Sequence, residues 1–137
     1  MISGSPNSSF WRRFMLYHLP AIFYALVIIT LSSIPNLKTP HIQIVAVDKL
    51  AHFLEYAIFA YLTFRSISNI SSRLRLRWIV LLSALFLSCF ALIDEIYQHF
   101  VPGRYSDLLD FATDMGGALV VLLILGRRHH QTRDTRY

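Results

Sequence analysis

Seven carboxylates sit in three short stretches of an otherwise apolar chain: "DKLAHFLEY" at 48–56, "DEIYQHFVPGR" at 94–104 and "DLLDFATD" at 107–114. On a helix, Asp48, His52, Glu55 and Tyr56 fall at i, i+4, i+7 and i+8 and share a stripe, with Lys49 beside its start. Asp94 pairs with Gln98 and Glu95 with His99 at i, i+4, while Asp107, Asp110 and Asp114 fall at i, i+3 and i+7. Such a set supports a lipid-binding site or an enzyme, either of them with or without a metal, against a third reading as a structural or assembly partner without a small ligand. It can bind a lipid headgroup, with Arg104 as a bidentate fork and Lys49 as a point charge on phosphate, and the carboxylates on hydroxyls or an amine. It can do acid–base catalysis, with one of several crowded carboxylates holding a proton and His52 as base or shuttle. It can also hold zinc, iron or manganese, because His52 with Glu55 and Glu95 with His99 have helical ligand spacing. Acid–histidine pairs at these spacings are also common hydrogen-bond partners, so the sequence assigns no metal and no cofactor. No G-x-S-x-G or other nucleophile motif is present, which leaves catalysis open and unassigned.

The elements that carry these residues are read from hydropathy. Of 137 residues, 55% are hydrophobic and 15% charged, and the mean hydropathy is +0.48. Water would meet too much apolar surface in a soluble domain of this composition, so lipid is the expected solvent. A bilayer core takes about 20 apolar residues as a helix. Four such runs are expected, at about 14–34, 48–67, 78–99 and 108–126, in a single all-α domain that ends in a basic tail at 127–137. Pro20 should kink the first run. The segment 35–47 is expected to be irregular, with an apolar tail that rests on the interface or begins the second span early.

Charge sets the orientation. Ten of the thirteen Lys and Arg residues lie at Arg12–Arg13, Arg65–Arg77 and Arg127–Arg136. Four spans put all three clusters on one side, expected to be the cytoplasm, with both termini there and Trp11 and Trp78 at the same interface. The net charge of +5 therefore reports topology, and no nucleic-acid partner is expected. Only Asp134 among the eight acids falls on the basic side. The other seven belong to the outer ends of spans two, three and four, with Glu55 roughly 10 Å down its helix at the helical rise. Ionisable residues at such depth face a bundle interior and default to a functional reading, against the simpler one of interhelical polar packing. A polar pocket open to the outer leaflet is the expectation. Ala112 and Gly116, with Gly117, offer a small-residue surface for close helix approach. His18 reads as hydrogen-bonded packing and Cys89 as a small buried hydrophobe, with no disulfide possible.

Three ordered motifs, "DKLAHFLEY", "DEIYQHFVPGR" and "DFATDMGG", make the chain resemble the VanZ-like family of small bacterial membrane proteins over about residues 14–126. The resemblance matches Asp48, Lys49, His52 and Tyr56 to a D-K-x-x-H-x-x-x-Y pattern, and Asp94, Glu95 and Gln98 to D-E-x-x-Q. It matches Arg104 to the arginine of the outer loop and Asp110 to the aspartate of span four, while Asp114 stands where relatives carry Asn or Asp. Asp107 and His99 find no place in the pattern. Glu55 joins the candidate pocket by its stripe alone. The resemblance implies a four-span protein of the bacterial cytoplasmic membrane with a role in the cell envelope. Its partners would be membrane lipids, including a cell-wall lipid intermediate. The family's named member lowers susceptibility to teicoplanin, a glycopeptide antibiotic, but resistance itself does not transfer to this chain.

Overall fold

Pro20 lies inside the first apolar run, where a missing N–H and a bulky ring disrupt ordinary helical bonding. The chain absorbs it with a π-helical turn at Phe14–His18, in which the Leu19 N–H reaches back to Phe14 O. Helix α1 (Pro6–Arg13) leads into that turn and α2 (Leu19–Ser32) follows it. The computed structural model describes residues 6–35, 42–104 and 107–134, with side chains over 8–35, 47–104 and 107–128. Beyond α2 it holds α3 (Ile42–Ser68), α4 (Leu76–His99) and α5 (Leu108–Asp134), and no strand among the described residues. The start of the segment expected to be irregular, 36–41, lies outside the described residues; its apolar tail is helical, since α3 begins at Ile42. The last helix likewise runs on into the basic tail.

Among the described residues, three helical stretches are long and apolar enough to cross a membrane: Ser8–Ser32, Leu76–His99 and Leu108–Arg128. The fourth expected span is helix α3, whose 27 residues would reach about 40 Å. It is not in that apolar class, because Asp48, Lys49, His52, Glu55 and Arg65 dilute its hydropathy. Those residues find protein partners instead. Helix α3 packs along α5 and against α4, α4 packs on α5, and α2 rests on α3 and α4.

Burial is inverted relative to a soluble domain. Phe23, Leu85, Ile93 and Leu123 are each more than half exposed, whereas Gln98, Asp110 and Asp114 are buried. An exposed apolar exterior of this extent fits a hydrocarbon solvent. The interior is part apolar and part polar. Its apolar part centres on Phe59, whose ring meets Phe90 edge-on at 4.9 Å between centroids. Cys89 faces outward and is exposed, which corrects the expectation that it is buried: it lies on the outer, lipid-type face of α4.

Helices α3 and α5 approach closely at Gly117, where an added Cβ would collide with Phe53 O. At Gly116 the same atom would meet only the Phe53 ring, at 3.8 Å, and Ala112 is exposed. The small-residue surface therefore narrows to Gly117 and the buried Ala118.

Two local devices set the acidic end. Val101, Pro102, Gly103 and Arg104 form a turn closed by Arg104 N–H to Val101 O at 3.1 Å, with Gly103 at φ 75°. Proline followed by a positive-φ glycine is the type II pattern, and it turns Arg104 back over the bundle. Asp107 then caps α5, its Oδ1 accepting the Leu109 N–H at 2.9 Å. The opposite end is basic. Arg12, Arg13, Tyr17, Ser68, Asn69 and Ser72 share one cavity there, the Arg65 guanidinium lies 5.0 Å from the Tyr17 ring centroid, and Gly126 adjoins Arg73, Arg75 and Arg77.

Candidate functional site

The last turns of α4 point Asp94, Glu95 and Gln98 into the bundle. Asp94 Oδ2 accepts from Ser32 Oγ at 2.8 Å and from Gln98 Nε2 at 2.9 Å, and the same amide donates to Ser32 Oγ at 3.2 Å. Arg104 closes this group from the turn. Its Nη1 donates to Gln98 Oε1 at 3.3 Å, Nη2 to Leu31 O at 2.7 Å and Nε to Ile34 O at 3.3 Å.

A second group joins α3 to α5. Lys49 Nζ donates to Asp107 Oδ2 at 2.9 Å and also to Asp110 Oδ1. The Asp107 N–H donates to Glu95 Oε2 at 3.0 Å, which ties this group to α4. One turn deeper, His52 Nδ1 lies 3.0 Å from Asp114 Oδ1.

The groups form one electrostatic unit. Glu55 interacts with His52, Asp94 and Arg104, and Asp114 with Glu95 and Asp110 as well as His52. The Tyr56 hydroxyl lies in the field of Asp114, Asp94, Glu55 and Glu95. That hydroxyl and Asp94 Oδ1 are buried with no hydrogen-bond partner among the described residues. Asp110 and Asp114 are 0% and 1% exposed, and the unit reaches the surface at the side chains of Asp107 (42%) and Lys49 (21%).

All the candidate residues converge at this end: Asp48, Lys49, His52, Glu55, Tyr56, Asp94, Glu95, Gln98, Arg104, Asp110 and Asp114. His99 is exposed and set against the Phe100 ring, and His52 takes Asp114, not Glu55, on Nδ1. Donor atoms of Asp48, His52 and Asp110 do converge, within 4.8 Å of one another. Arg104 and Lys49, the cations expected on phosphate, both serve protein acceptors.

Sequence reasoning missed Ser32 and left Asp107 without a role. Ser32 bonds to the central carboxylate from a span with no charged residue, and its signal was a hydroxyl at the depth of the acids, in "LSSIP". Asp107 lies outside the motif pattern, yet it caps α5 and bridges Lys49 to Glu95; its position immediately before an apolar run marks it as a helix cap.

The VanZ/LLP1 family profile matches residues 4–127. The chain belongs to the VanZ/LLP1 family. That match includes every residue of the acidic unit. Neither curated proteins nor solved structures give a significant match to the chain. A VanZ/LLP1 chain with three helices apolar enough to cross a bilayer is a multi-pass membrane protein.

Proposed function

We propose that this protein is a four-span resident of the bacterial cytoplasmic membrane, with both termini cytoplasmic. In this reading its acidic unit binds the headgroup of an outer-leaflet lipid, in the class of cell-wall lipid intermediates. The observation that carries the reading is the imbalance of charge: seven carboxylates surround two permanent cations, and both cations are engaged by protein acceptors. The chemistry therefore favours a headgroup that donates N–H or O–H groups over one recognised through phosphate. Asp94 Oδ1, buried and without a hydrogen-bond partner, is the acceptor assigned to it, with Glu55 beside it. Burying a carboxylate oxygen unpaired is costly, and a ligand donor offsets that cost.

The test is lipid retention. The protein is reconstituted in nanodiscs with equal phosphatidylethanolamine and phosphatidylcholine, whose headgroup has no N–H or O–H, and the lipids that stay bound are read by native mass spectrometry. The amine-bearing lipid is expected to be enriched, and Asp94→Asn to abolish the preference without loss of helicity. Equal retention of both lipids by the unmutated protein would reject the headgroup reading.

One observation favours a second reading, an enzyme acting on such a lipid. A buried histidine held by a carboxylate is the arrangement of an oriented general base, and His52–Asp114 supplies it.

A further inference from the structure

We infer that Asp48, His52 and Asp110 bind a divalent transition-metal ion, with Asp114 orienting the histidine. This goes beyond the headgroup reading, which rests on Asp94 and Glu55.

Three features converge. Asp48, His52 and Asp110 each bring a donor atom within 4.8 Å of the other two, from adjacent turns of α3 and the first turn of α5. Two ligands of one ion at about 2.1 Å lie about 3.4 Å apart in a tetrahedral site, so closure of up to about 1.4 Å between donor atoms completes the set. Such a shift lies within ordinary side-chain freedom.

The histidine is also held as a metal ligand is held. Metal-bound imidazoles typically give their second nitrogen to a carboxylate, which fixes the ring and its tautomer. Asp114 Oδ1 lies 3.0 Å from Nδ1 and would take that place, with Nε2 on the ion. Asp114 is 1% exposed, so its position is set by packing.

The third feature is independent of the carboxylates. Tyr56, one turn below His52, is fully buried, and its hydroxyl has no hydrogen-bond partner among the described residues. It lies in the field of Asp114, the carboxylate that holds His52. Buried hydroxyls are almost always satisfied in native proteins, and an exception points to an ion or an ordered ligand nearby. A water on the ion would be its partner. One imidazole nitrogen and two carboxylate oxygens suit manganese, iron or zinc better than a soft-ligand metal. Lys49 on Asp110 is the one opposing charge, and it holds that carboxylate in place from the side of Asp107.

The full chain, purified in detergent and stripped with chelator, is equilibrated with Mn²⁺ or Zn²⁺, and bound metal is measured after dialysis. About one equivalent is expected. His52→Gln and Asp48→Asn should lose it, and Asp114→Asn should weaken it by about 10–100-fold, the usual effect of removing an orienting carboxylate. His99→Gln, at an exposed histidine outside the set, should leave stoichiometry unchanged. Because a site variant can fail to fold, Co²⁺ is also titrated into the unmutated protein, where ligand-field absorption in the visible should appear. A helical, chelator-stripped wild type that takes up neither Mn²⁺ nor Zn²⁺ and stays colourless with Co²⁺ overturns the site. So does uptake that survives in folded His52→Gln or disappears in His99→Gln. Lipid preference in nanodiscs without added metal reads the headgroup proposal separately.

Discussion

Arg104 and Lys49 show how much a cation's role depends on what already surrounds it. Arg104 spreads three donors over two carbonyls at the end of α2 and the Gln98 amide. A lysine can point at one of those acceptors but cannot fork across them. Arg104→Lys is therefore expected to destabilise the protein by about 1–3 kcal/mol, close to the cost of Arg104→Ala, because a buried acceptor loses its partner either way. Thermal unfolding in detergent measures this, and a Lys variant as stable as the parent would contradict the capping role. Lys49 is partnered differently, since it neutralises Asp110, which is wholly buried. Lys49→Ala should cost about 2–3 kcal/mol, between the values for exposed and buried pairs, given that its own side chain is partly exposed. Adding Asp110→Asn should return part of that loss, because an amide is cheaper to bury than an unpaired carboxylate. A double-mutant cycle with no coupling would mean that Lys49 and Asp110 act independently.

Helices α3 and α5 meet backbone to backbone, and a single glycine permits it. Gly117→Ala is expected to cost about 1–3 kcal/mol by overpacking, since the Phe53 carbonyl cannot retreat without moving α3. Gly116→Ala, which meets only an ordinary ring contact, should change stability by less than about 0.5 kcal/mol. Unfolding curves for the two variants should thus separate neighbouring glycines that look alike in sequence. The same contrast marks what the sequence made legible. Helix α4 was readable because a long uncharged run ended by Pro102–Gly103 leaves little choice of boundary, and the start of α5 because Asp107 stands just before an apolar run. The convergence of the acids was readable because their spacing confines them to one face of each helix. Which atoms meet was not, since Asp114 rather than Glu55 on His52, and Ser32 on Asp94, depend on rotation and depth between helices. Nor could composition anticipate a π turn before Pro20 in place of a simple kink.

At the scale of the molecule the arrangement is polar: guanidinium groups at one end, carboxylates at the other, and an apolar exterior between. The orientation in the membrane can be tested with single cysteines in a Cys89→Ala background. Pro102→Cys should react with an impermeant maleimide in intact cells, and Ser72→Cys only after permeabilisation. Reaction of Ser72→Cys in intact cells would mean that α3 does not cross. In the four-span arrangement, the order of synthesis has a consequence of its own. The ribosome delivers α3 before α4 and α5, whereas the partners of Lys49 and His52 lie 58 to 62 residues further along the chain. The carbonyls of Leu31 and Ile34 wait longer still, 70 to 73 residues, for Arg104. The newborn protein must therefore shelter its least lipid-soluble helix until the final one arrives, so a chain truncated after α4 should be held by the insertion machinery or degraded.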